Sequence, residues 1–101
     1  MDVTITKNGS KTIVTLVGRL DSSNADKFQN DIAVLLEDQN PDFEIDCSQM
    51  DYTSSQGLRI FLTLQKNVTS KGGSMVMHDM KPQVKEVFDI TGFSNIFKIE
   101  D

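Results

Sequence analysis

Two adjacent hydroxyls, Ser54 and Ser55, fall inside the run Tyr52-Thr53-Ser54-Ser55-Gln56-Gly57-Leu58, between a β-rich segment and an amphipathic one. A helix start presents unpaired backbone N–H groups and the positive end of the macrodipole. A serine placed there can cap the helix as it stands and tolerate a phosphate once modified. The chemistry this permits is a charge switch: phosphorylation adds about −1.5 to −2 units of charge while the fold beneath survives, whereas the same change in mid-helix costs helix stability. Catalysis fits these residues less well. A serine nucleophile needs a base within hydrogen-bond reach, and the single histidine, His78, has no evident orienting acid beyond Asp79. One histidine and one cysteine give no metal-ligand spacing, and no GxxxxGK[ST] phosphate loop occurs. Cys47, at the end of a β-rich run, reads as a small buried residue. A phosphoaspartate receiver built on Asp46 would need an acidic pair after the first strand, where this chain has Lys7-Asn8-Gly9.

The elements that must hold the serine pair can be followed along the chain. Val3 and Ile5 alternate with polar residues, Lys7-Asn8-Gly9-Ser10 supplies turn chemistry, and Thr12–Val17 is β-branched and apolar, so a hairpin is expected, ending at Gly18-Arg19-Leu20-Asp21. Ser22 and Ser23 are expected N-caps for a helix with Ala25, Phe28, Ile32, Leu35 and Leu36 on one face, stopped by Asn40-Pro41. A short strand, Phe43–Cys47, and a loop from Ser48 to Thr53 lead to the serines. The second helix is expected from about Ser55 to about Ser70, with Leu58, Phe61, Leu62, Gln65 and Val68 inward and Gly72-Gly73 ending it. Gly57 in its first turn costs helix propensity and therefore implies either a close approach to the backbone or an unusually placed turn. Ser74–His78 reads as a strand. Pro82 opens a third helix with Val84, Val87, Phe88 and Thr91 on one face and Gly92 as its C-cap, and Ile96–Ile99 reads as a last strand.

The order ββαβαβαβ predicts a single α/β domain over residues 1–101, a mixed β-sheet with helices packed on it and right-handed crossovers. In such sheets functional groups gather where strand C-termini meet helix N-termini, an edge that takes in Asp21, the region of Asp51 and the Ser54-Ser55 pair. Hydrophobic residues at 38% and charged residues at 25% describe a globular protein, and no apolar run approaches the roughly 20 residues of a membrane span. Without a signal segment after Met1-Asp2, the expected compartment is the cytoplasm. A formal charge of −5 with scattered Lys and Arg argues against a nucleic-acid partner and for a protein one.

Three runs in order, Gly18-Arg19-Leu20-Asp21, then Thr53-Ser54-Ser55-Gln56-Gly57-Leu58-Arg59, then Lys81-Pro82-Gln83-Val84-Lys85-Glu86-Val87-Phe88 with Thr91-Gly92-Phe93, resemble the STAS domain of bacterial anti-sigma factor antagonists over nearly the whole chain. The resemblance implies a binding switch without catalysis or cofactor. Such an antagonist, unphosphorylated, binds an anti-sigma factor with serine kinase activity and frees a sigma factor; phosphorylation breaks the complex, and a serine phosphatase restores it. Counted back from Gly57, the family's phosphorylated serine is Ser55, with Ser54 as an alternative acceptor, and the family's acid closing the second strand is Asp21. The partner surface implied by the resemblance comprises Asp21, Asp51, Thr53, Ser54, Gln56, Gly57 and Arg59. Many members carry Asp where this chain has Ser54, and several carry Gly where it has Arg59. The same fold also serves as a constitutive subunit, beside a lipid-transport ATPase or in a stress-signalling complex, a role that has no need of a modifiable hydroxyl.

Overall fold

In the computed structural model, residues 1–100 are described. The elements run β1 (Asp2–Asn8), β2 (Lys11–Leu20), α1 (Ala25–Ile32), a 3-10 turn (Ala33–Glu37), β3 (Asp42–Thr53), α2 (Ser55–Ser70), β4 (Ser74–His78), α3 (Pro82–Ile90), a second 3-10 turn (Phe93–Asn95) and β5 (Lys98–Glu100). The strands lie in the order β1-β2-β3-β4-β5 in one five-stranded sheet. β1 is antiparallel to β2, as a hairpin requires, and each later strand is added parallel to its predecessor through a helical connection. The mixed α/β sheet expected from the element order is therefore the one observed.

Strand alternation sends Val14, Leu16, Phe43, Ile45, Cys47, Met75 and Met77 into the core, while Ile13, Thr15, Glu44, Asp46, Val76 and His78 on the opposite face stay half-buried. A chain of aromatic rings ties the helices together. Phe28 of α1 packs edge-on against Phe61 of α2 at 5.3 Å, Phe61 against Phe88 of α3 at 6.2 Å, and Phe88 against Phe97 at 5.3 Å. Rings in such contact add about 0.5–1.5 kcal/mol per pair beyond the burial of their area. The three helices are thus joined through one row of rings.

Several boundaries differ from those the sequence suggested. Neither Ser22 nor Ser23 caps α1: the N-cap is Asn24, whose side chain instead accepts from the Asp21 N–H at 3.0 Å. The first helix is regular only to Ile32, and its Leu35 and Leu36 lie in the 3-10 turn. The expected loop from Ser48 to Thr53 is strand. It was hidden because β3 carries extra residues opposite β2: Thr15 pairs with Asp46 but Val17 with Gln49, and Gly18 pairs with Met50 but Arg19 with Tyr52. Such bulges break the period-two pattern that marks a strand. The inward face of α2 also includes Ile60 and Leu64, with Leu62 and Gln65 only partly covered. The last strand begins at Lys98, after Ile96 and Phe97. By contrast α2 spans Ser55–Ser70 as expected. α3 begins at Pro82, but its C-cap is Thr91 rather than the expected Gly92, which follows at φ 78°, a left-handed geometry that glycine adopts without strain.

Candidate functional site

The site is built where β2 and β3 end side by side. The Ser54 N–H donates to the Leu20 carbonyl at 2.8 Å, which places Asp21 and Ser55 one residue beyond a hydrogen-bonded pair on neighbouring strands. Ser54 is the N-cap of α2: its backbone is extended, and its Oγ accepts from the Gly57 N–H at 3.3 Å. Ser55 is the first helical residue. It is exposed, and its hydroxyl has no hydrogen-bond partner among the described residues. The two hydroxyls thus divide the work that either could have done, the first closing the helix and the second facing solvent.

Behind them the packing is tight. Thr53 is fully buried, and its Oγ1 donates to the Ser54 carbonyl at 3.2 Å. Gly57 is buried, and a Cβ there would lie 2.6 Å from Leu20 Cδ2 and 2.6 Å from Thr53 Oγ1. The close approach is real, and the approaching groups are the chain's own β2 and β3 ends, Leu20 and Thr53. Thr53 and Gly57 therefore offer no side-chain surface and bear on the site only by fixing where Ser54 and Ser55 stand.

Asp21 takes two hydrogen bonds from Ser23, one from its N–H at 3.0 Å and one from its hydroxyl. The Ser23 hydroxyl is the first cause, and its N–H the second, of an Asp21 carboxyl held below the usual carboxylate value. Asp51 is the bulged residue opposite the Gly18/Arg19 step, turned out of the ladder and ion-paired with Lys81 at the start of α3. Gln56 and Arg59 are exposed on α2 and line a cleft of about 300 Å³ between α1 and α2.

Two residues absent from the expected surface stand on the same edge. Arg19 lies over the Tyr52 ring at 4.6 Å, and Lys81 holds Asp51. Arg19 was visible as part of the Gly-Arg-Leu-Asp run, but nothing in its spacing pointed to Tyr52, since the bulge sets that pairing. His78 has carboxylates at both ring nitrogens, Asp79 at 2.6 Å from Nδ1 and Glu44 at 3.0 Å from Nε2. Asp79, the acid visible in the sequence, is therefore bonded to the ring at Nδ1, and Glu44 is a second carboxylate that only the β3–β4 pairing brings near Nε2. Burial pushes the Cys47 thiol up to about 12, which makes it a core residue and a poor nucleophile. No helix among the described residues is long and apolar enough to cross a membrane.

Several curated proteins similar to this chain are named as anti-sigma factor antagonists. A Bordetella bronchiseptica protein named as a candidate anti-sigma factor antagonist, BtrV, is 33% identical over 98% of this chain and 85% of its own length. The anti-sigma-B factor antagonist of Bacillus subtilis is 28% identical over 98% of this chain and 90% of its own. Among solved structures, the anti-sigma factor antagonist SpoIIAA in its unphosphorylated form shares the fold at a TM-score of 0.78, with 14% identity over 97% of this chain and 87% of that one. The sequence profile of the STAS domain matches residues 2–101. With that match over nearly its whole length, the chain belongs to the STAS domain family.

Proposed function

We propose that this protein is an anti-sigma factor antagonist switched by phosphorylation of Ser55, a binding module with no catalysis of its own. Unphosphorylated, it binds an anti-sigma factor with serine kinase activity through the edge formed by Asp21, Asp51, Ser54, Ser55, Gln56 and Arg59. That partner then releases a sigma factor in the cytoplasm. A phosphate on Ser55 dissolves the complex and a serine phosphatase restores it. The relatives' names support the partner class. The observation that carries the choice of residue is the division between the serines: Ser54 is committed to the Gly57 N–H, while Ser55 is exposed and unbonded among the described residues.

The same division accounts for the missing aspartate. Asp and Ser are comparable N-caps, so a chain with Ser54 keeps the helix closed where many members use Asp. On magnitude, two like unit charges about 6 Å apart at an effective dielectric of about 20 repel by roughly 3 kcal/mol, which is about a hundredfold in affinity. Since α2 starts on a buried base, the phosphate acts on the partner and leaves the fold intact. Intact mass before and after incubation with ATP and cell lysate, with site mapping, tests this reading. Phosphate on Ser55 is expected. An unmodified protein that copurifies with a membrane ATPase would point instead to the constitutive-subunit role.

A further inference from the structure

α2 is a cationic element in an acidic protein. Its sequence, SQGLRIFLTLQKNVTS, contains Arg59 and Lys66 and no Asp or Glu, in a chain with 15 acidic residues. Arg59 has no carboxylate in ion-pairing range among the described residues, unlike Lys27, Lys81 and Lys85, which are each paired. It stands four residues after Ser55, so the two lie one above the other on the same face, within reach of each other's side chains. Both are exposed. Arg59 is also the only charged residue lining the α1–α2 cleft, beside the aliphatic Ile32, Leu36, Ile60 and Leu64 and the polar Gln29, Gln56 and Thr63.

We propose that Arg59 is the receiver of a phosphate on Ser55, closing an i,i+4 clasp along α2 that neutralises the one charge of the α1–α2 cleft. Resting on the reading of Ser55 as the phosphoacceptor, this names how that modification is registered within the protein. A guanidinium matches phosphate oxygens with parallel N–H donors, and a dianion at the first helical position also faces the positive helix end. The unphosphorylated protein offers a partner a cleft of mixed polarity, with Gln29, Gln56 and Thr63 beside its aliphatic residues, and a free cation suited to a carboxylate. The phosphorylated protein offers the same cleft with its cation engaged. Modification thus does two things at once, adding negative charge at Ser55 and withdrawing positive charge from the surface next to it.

The test places phosphoserine at position 55 during translation of the full chain, so that no kinase is needed, and follows the phosphate's second ionisation by phosphorus NMR. In the native chain that ionisation is expected to lie about 0.3–0.7 pH unit lower than in Arg59→Gln, a two- to fivefold change in the constant, with Arg59→Lys between them. The difference should shrink in high salt. In the native protein alone, the Arg59 side-chain nitrogen signal should move with phosphate ionisation, a readout that depends on no variant. Identical titrations in native and Arg59→Gln chains, with a stationary Arg59 signal, would overturn the clasp. That result would leave the modification of Ser55 by a cellular kinase standing. Conversely, a lysate that leaves Ser55 unmodified would remove the proposed switch without altering the titration.

Discussion

Two strand-to-helix junctions lie next to each other on this sheet edge, β2 into α1 and β3 into α2, and each carries a pair of adjacent serines. At the first, Ser23 is bonded to Asp21, the cap is Asn24, and an acidic residue, Asp26, already sits in the first turn of α1. At the second, Ser54 caps the helix, no acidic residue occupies the first turn of α2, and Ser55 is free. A phosphate added at the first junction would meet carboxylates; one added at the second would meet backbone N–H groups and, in the proposed clasp, Arg59. The local hydrogen bonds and the placement of acids, more than the serines themselves, decide which junction can act as a switch.

The comparison can be broken most severely at Gly57, the residue that lets α2 start hard against β2. Gly57→Ala drives a methyl into Leu20 and Thr53 and should cost about 2 kcal/mol by overpacking, read as a lowered urea midpoint. An unchanged midpoint would mean that the two junctions are not packed as described. Next in size is the cap. Ser54→Ala should cost about 1 kcal/mol, whereas Ser22→Ala, in a turn where the residue caps nothing, should stay within about 0.5 kcal/mol. Equal losses would erase the distinction between the serine pairs. Removing the exposed Asp51–Lys81 pair with Asp51→Asn should change stability by no more than about 0.5 kcal/mol, so any larger effect on partner binding would report contact.

The acid limb separates the junctions in another way. The Asp21 carboxyl is depressed by Ser23, so its contribution to stability is fully present above the unfolded value near about 4 and is lost as pH falls through the lower folded value. Urea midpoints should therefore decline as pH falls through that range, with a shallower decline in Ser23→Ala. A Ser23→Ala profile parallel to the native one would remove the assigned role of that hydroxyl.

The second junction was far more legible in the sequence than the first. Ser54-Ser55 before an apolar stripe and Gly72-Gly73 after it bounded α2 closely, and of the two readings Gly57 left open, a close contact or an unusual turn, the structure shows the contact. Pro82 and Gly92 did the same for α3. The approach to the site was not legible, because bulges at Cys47-Ser48 and at Asp51 turn a strand into a run without alternation. For the same reason the stacking of Arg19 on Tyr52 and the Asp51–Lys81 pair could not be foreseen: both depend on register. At the first junction, three residues able to cap, Ser22, Ser23 and Asn24, stood in a row, and local propensity does not choose among them when Asp21 competes for one hydroxyl.

The claim that matters most is that negative charge on Ser55, and not merely near it, controls binding. Titrating the anti-sigma factor of the same organism against the native protein, Ser55→Asp and Ser54→Asp measures this directly. The account predicts roughly a hundredfold loss for Ser55→Asp and near-native affinity for Ser54→Asp, where the carboxylate takes over the cap. Native affinity in Ser55→Asp, or an equal loss in both variants, would contradict it.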